Sequence, residues 1–119
     1  MTEQRIMEYC LSKLGAVLDY PFGPDPVVFK VGGKIFATIY HKGETTRIGM
    51  KCDPMLADLL RGQYESITLM YKSPHWIYIL FDSGVPDDVF YSQIDHSHDL
   101  IIKSLSKKKR EQISFYAEQ

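Results

Sequence analysis

The chain has 119 residues, 45% of them hydrophobic and 24% charged, with 14 Lys and Arg against 15 Asp and Glu. That balance is ordinary for a folded domain and argues against disorder, while a net charge of −1 gives none of the global basic field typical of a dedicated nucleic-acid binder. The length suits a single domain, 1–119, in the cytoplasm: there is no leader pattern and no apolar run near ~18 residues, and Cys10 and Cys52 are isolated in the manner of buried, reduced thiols.

Thr2 can cap a first helix in which Ile6, Met7, Cys10, Leu11 and Leu14 recur at helical spacing, and Gly15 stops it. Asp19-Tyr20-Pro21-Phe22-Gly23-Pro24-Asp25-Pro26 follows as a stiff, extended loop, because its prolines fix φ. Val27 to Val31 and Lys34 to Tyr40 form two strands about Gly32-Gly33, a two-residue turn that tolerates positive φ. His41-Lys42-Gly43-Glu44 turns the chain into a third strand, Thr45 to Lys51.

Asp53-Pro54 is a helix start, an N-cap acceptor followed by proline at the first helical position; Met55, Leu56, Leu59 and Leu60 are its expected buried face. Ser66 to Tyr71 and Trp76 to Phe81 are two further strands. Pro74 cannot donate to a ladder, so the last of them starts after it and leaves His75 and Trp76 at its entrance. Pro86-Asp87-Asp88 opens a long helix whose stripe is Phe90, Ile94, Ser97, Ile101 and Leu105, and Ser106 can cap a short last one. A three-stranded meander, two more strands and flanking helices predict an α+β two-layer sandwich with an antiparallel sheet.

Alternation assigns the two faces of that sheet. Ile77, Ile79, Phe81, Ile48 and Met50 should meet the helices, which leaves Trp76, Tyr78, Leu80, Arg47, Gly49 and Lys51 on the other face. Aromatic rings interleaved with cations are the elements of a surface that stacks bases and holds phosphates. Five basic residues against one acid lie between Val27 and Cys52, and five acids with no Lys or Arg lie between Asp82 and Asp99. Lys107-Lys108-Lys109-Arg110 is a basic run common on solvated helices. His96 and His98, two apart on one helix, point to different faces and do not combine with Asp95 and Asp99 into three ligands, so no metal site is expected. No nucleophile, base and orienting acid fall at a catalytic spacing, and no phosphate-cradling or metalloprotease motif occurs. Neither catalytic residues nor a cofactor are therefore expected, and a non-enzymatic role is favoured.

Several short elements occur in a fixed order: Asp19-Tyr20-Pro21-Phe22-Gly23; Phe29-Lys30-Val31 with Gly33-Lys34-Ile35-Phe36-Ala37; Lys51-Cys52-Asp53-Pro54; His75-Trp76; Gly84-Val85-Pro86-Asp87; and Ser97. Together they resemble the MmcQ/YjbR family of small bacterial proteins, over nearly the whole chain. The resemblance implies a CyaY-like (frataxin-like) sandwich, in agreement with the element order, and a DNA-binding function. One difference stands at the fifth strand: the family often has Asn-Lys-x before His-Trp, whereas this chain has Lys72-Ser73-Pro74, with the lysine displaced by one. Frataxin's acidic ridge has no counterpart in a first helix with only Glu3 and Glu8.

Two functions stand open. In the first, a nucleic-acid-binding module uses Lys34, Arg47, Lys51 and Lys72 for phosphate and Trp76 with Tyr78 for stacking, the partner being DNA or another anionic ligand. In the second, a small-ligand or protein-interaction module has a cleft between the Asp19, Pro21 and Phe22 loop and the His75-Trp76 entrance, with Lys51 as anion anchor. Neither involves a membrane, and nothing in the chain specifies an oligomeric state.

Overall fold

A computed structural model describes residues 1–117, with side chains through Ser114. Six antiparallel strands form one open sheet in the order β1-β2-β3-β4-β6-β5: β1 (Val17–Asp19), β2 (Val27–Val31), β3 (Lys34–Lys42), β4 (Thr45–Lys51), β5 (Ile67–Leu69) and β6 (Trp76–Leu80). Four helices complete the chain: α1 (Glu3–Ser12), α2 (Pro54–Gln63), α3 (Asp87–Ser104) and α4 (Lys107–Ala117). This is the α+β arrangement expected, with one strand more, since β1 pairs Val17 to Asp19 with Lys30 to Val28. No helix among the described residues is long and apolar enough to cross a membrane.

The core lies between the sheet and α1 and α3. Phe29, Ile39, Ile48, Met50, Ile77 and Ile79 from the sheet meet Ile6, Cys10, Phe90, Ile94 and Ile101, nearly all fully buried. Gly32 and Gly33 both have positive φ, as the two-residue turn between β2 and β3 requires. A Cβ on Gly32 would also sit 2.5 Å from Leu105, so the leucine that ends α3 closes onto this turn. Opposite Phe29 and Lys30, β3 carries one extra residue: Phe29 pairs with Ala37 and Lys30 with Ile35, leaving Phe36 unpaired. This β-bulge turns both Phe36 and Ala37 toward the helices and Ile35 toward the other face.

Two helix faces differ from the periodicity. In α2, Asp53 caps the helix by accepting from the Met55 and Leu56 amides, but Met55 and Leu59 are 83% and 59% exposed. The helix packs against β5 with Leu60 and the half-buried Leu56 inward as expected, joined by Ala57. At the end of α1, Leu11 and Leu14 are also exposed, Leu14 because the helix stops at Ser12 and no longer carries it.

Candidate functional site on the open sheet face

The face turned away from α1 and α3 is set by register. Lys51 lies opposite Trp76, Gly49 opposite Tyr78 and Arg47 opposite Leu80, while Thr38 and Tyr40 of β3 stand beside Gly49 and Arg47. Gly49 is the low point. A Cβ there would lie 2.8 Å from Thr38 Oγ1 and 2.9 Å from Met70 Sδ. Its absence lets Met70 descend onto the sheet and brings a 3-10 turn, Met70–Lys72, over the face. That turn carries two side chains in the left-handed region, Tyr71 (φ 53°) and Lys72 (φ 61°), a conformation costing about 1–3 kcal/mol per residue.

Between this turn, the 20–26 loop and the end of α3 lies an open cavity of about 720 Å³. Its walls are largely apolar and aromatic: Phe22 and Pro26 from the loop, Ile35 and Tyr40 from β3, Met70 and Tyr71 from the turn, Trp76 from β6 and Ile101 from α3. Thr38, Ser73 and Ser104 add hydroxyls, Lys34 and Lys51 add positive charge, and no Asp or Glu among the described residues contributes to the lining. Lys34 donates to the Ser104 carbonyl and hydroxyl at the C-terminal end of α3. Lys51 is half-buried, and its ammonium has no hydrogen bond or ion pair among the described residues.

Beside the cavity, the Arg47 guanidinium lies 4.0 Å from the centre of the Tyr78 ring and 6.0 Å from that of Tyr40. Its Nε is buried without a hydrogen-bond partner among the described residues. The Tyr78 ring meets those of Tyr40 and Tyr71 edge-on, at 5.6 and 6.2 Å. Burial pushes the Tyr78 and Tyr40 phenols upward, whereas hydrogen bonding from Tyr40 and then Tyr78 holds the exposed Tyr71 phenol below its ordinary range.

Lys51 is held in place from the opposite face. Three side chains of α3, spaced i, i+3 and i+4, attach to the last residue of β4 and the two that follow it. The buried Ser97 hydroxyl accepts from the Lys51 amide (2.9 Å) and donates to the Phe36 carbonyl at the bulge (2.6 Å). His96 Nε2 accepts from the Asp53 amide (3.1 Å), and Gln93 Oε1 accepts from the Cys52 thiol (3.4 Å). Burial, and then the Asp53 charge, pushes that thiol up to about 11. His98 points elsewhere, bonded to the Leu14 carbonyl at 2.7 Å and edge-on to Phe36. Asp95 holds Tyr9 and Lys13, and Asp99 pairs with Lys103. Each of these groups thus has a structural partner.

Of the residues singled out in the sequence, Lys34, Lys51, Trp76 and Phe22 line the cavity, with Trp76 half-buried and Phe22 67% exposed. Arg47 and Tyr78 adjoin it, Tyr78 buried beneath the guanidinium. Lys72 and His75 are exposed outside the lining. The backbone of His75 is used locally, its carbonyl accepting from the Cys52 amide and its amide donating to Ser73. Asp19 pairs with Lys30 at 3.0 Å, the lysine holding its carboxyl below the usual range, and Pro21 is exposed. Thr38, Tyr40 and Met70 were not singled out. Tyr40 and Thr38 could have been found by carrying the alternation of β4 onto its neighbour, but no local signal marks Met70, which depends on the glycine across from it.

Sheet order, bulge and covered open face define a class of small α+β proteins with a six-stranded antiparallel sheet. The YjbR family model matches residues 11–100, and the chain belongs to the YjbR family. It is 27% identical over 112 residues to the uncharacterized protein YjbR of Escherichia coli K12, covering 92% of this chain and 95% of that protein. To YbdF of Escherichia coli O157:H7 it is 31% identical over 98 residues, 81% of this chain and 80% of the relative. The Deinococcus radiodurans protein DR2400, a DUF419 domain, shares the fold at a TM-score of 0.85 and 24% identity, over 95% of this chain and 88% of that one. A Pseudomonas syringae protein superimposes at a TM-score of 0.72 and 25% identity, over 84% of this chain and 98% of that one.

Proposed function

We propose that the open sheet face binds a small molecule with a flat apolar body and an anionic group, the body against Trp76 and Phe22 and the anion on Lys51. The observation that carries this function is the cavity of about 720 Å³, aromatic and apolar, with two lysines and, among the described residues, no acid in its walls. Small-molecule sites have this character: concave, a few hundred Å³, mostly apolar, with a few convergent polar groups. A cation with no partner of its own favours an anion, because the ligand then replaces only water at the ammonium.

Trp76 is the only tryptophan and lines the cavity, so its fluorescence reports occupancy directly. Biphenyl-4-carboxylate is expected to quench or shift its emission saturably and to raise the melting temperature. Lys51→Gln is expected to weaken binding about tenfold, the loss of one charge-assisted hydrogen bond. Failure of this probe and of a broader panel of aromatic anions to change either signal would refute the proposal.

The exposed rim favours a second function for the same face, binding of DNA or another nucleic acid. Tyr71 is 76% exposed beside Lys72, with Lys34 across the cavity. Three phosphate contacts give a slope of about −2 in log K against log salt for a single strand. Such a slope with an oligothymidylate would establish this function, and no binding at low salt would remove it. The pairing of Lys30 with Asp19 and the total charge of −1 weigh toward the small ligand.

A further inference from the structure

Lys51, Gly49 and Arg47 follow one another on a single face of β4, with two cations separated by a residue that has no side chain. At the strand rise their Cα atoms are about 13 Å apart. Between them Met70 fills the space over Gly49, and Met70 and Thr38 together line the cavity there. Lys72 is exposed outside the cavity lining, and two other lysines of this region are already engaged: Lys30 by Asp19, and Lys34 by the Ser104 carbonyl and hydroxyl. Arg47 and Lys51 are not, since neither forms an ion pair among the described residues, and the Arg47 Nε is buried with no acceptor. A guanidinium on a tyrosine face is oriented as well as unpartnered. Ring contact fixes its plane, and its outer nitrogens form a planar fork suited to a carboxylate or phosphate.

Resting on the small-ligand function proposed above, we infer that Arg47 is a second anion subsite, so that the ligand is an elongated dianion, flat and apolar in the middle, with one acidic group on Lys51 and the other on Arg47. Tyr40 lines the cavity and is the cross-strand partner of Arg47, so Arg47 adjoins the cavity wall four residues along β4 from Lys51. A ligand with a single charge would leave the guanidinium without an acceptor.

Titration of Trp76 fluorescence with biphenyl-4,4′-dicarboxylate and with biphenyl-4-carboxylate tests this inference. The dicarboxylate is expected to bind about 10- to 100-fold more tightly, the range of one added charged hydrogen bond. Arg47→Met keeps an apolar chain over Tyr78 and should bring the dicarboxylate down to the affinity of the monocarboxylate, which itself stays unchanged. Arg47→Lys should retain most of the difference. Melting curves of the unliganded variants confirm that both fold. The corresponding bisphosphonate distinguishes the two kinds of acid: tighter binding than the dicarboxylate assigns phosphate-type ends, weaker binding assigns carboxylates, and in either case Arg47→Met must abolish the gain. Equal affinity of mono- and dicarboxylate, or an Arg47→Met variant that keeps the difference, overturns the second subsite while leaving the first intact. Binding of neither probe overturns the ligand function itself.

Discussion

At Gly49 a methyl group would meet Thr38 Oγ1 and Met70 Sδ at under 3 Å, with little room for the threonine to retreat because it is itself buried. Gly49→Ala is therefore expected to destabilise by about 1–3 kcal/mol, as overpacking does, and to raise the 70–72 turn off the sheet. Urea unfolding measures the first effect and increased acrylamide quenching of Trp76 the second. Ser97→Ala acts from the opposite face. It strands the Phe36 carbonyl and the Lys51 amide, and at about 1–3 kcal/mol for each unsatisfied buried group the loss should exceed that of a surface serine several-fold. Two histidines oppose one another in pH dependence. His41 bridges Glu3 (2.9 Å) and Asp25 (2.6 Å), which raise its pKa, Glu3 more than Asp25. Its contribution is full below the unfolded value of about 6.5 and disappears as pH rises through the folded one. Burial depresses the pKa of His98, so its contribution is present above about 6.5 and is lost as pH falls through the folded value. In urea titrations across pH 5–8, His41→Gln should flatten the alkaline decline and leave the acid one.

Among the elements, the 70–72 turn is the one whose backbone opposes its own residues. Lys72 occupies the left-handed region without the freedom of glycine, so Lys72→Gly is expected to stabilise by up to about 1 kcal/mol. The same change removes a rim cation. It should leave biphenyl-4-carboxylate affinity unchanged and shallow the salt slope of any nucleic-acid binding by roughly 0.7 for one lost contact. This turn was expected as the end of a strand from Ser66 to Tyr71, because nothing local in Met70-Tyr71-Lys72 announces positive φ; it exists because Gly49 admits Met70. Helix α2 illustrates the reverse case. Its cap was legible in Asp53-Pro54, yet its apolar positions outnumber the contacts available at a sheet edge, so Met55 and Leu59 face outward.

For the molecule as a whole, one sheet has one face closed by helices and one partly covered by a loop, a turn and the end of α3, with Trp76 at the boundary. Its emission should lie between those of buried and solvated indole and should be partly quenchable. Trp76→Ala should cost less than the ~3–5 kcal/mol typical of a fully buried aromatic such as Phe36, while weakening aromatic-anion binding at least tenfold. Chemical unfolding of the two alanine variants side by side tests the stability difference. Period-two alternation in Thr45 to Lys51 and Trp76 to Leu80 was sufficient, by itself, to determine which residues of β4 and β6 face the helices, since side-chain direction in a strand is set by the backbone pleat. Turn glycines, the Asp53-Pro54 start and the apolar stripe of α3 determined the order and type of most elements for equally local reasons. Only the tertiary structure decided that Phe36 bulges, that β1 joins the sheet edge, that Ser97, His96 and Gln93 hold Lys51, Cys52 and Asp53, and that Arg47 lies on Tyr78 while His75 and Lys72 stay outside the cavity. Those outcomes depend on atoms brought together from distant parts of the chain, where packing and hydrogen-bond satisfaction, not local propensity, select the arrangement.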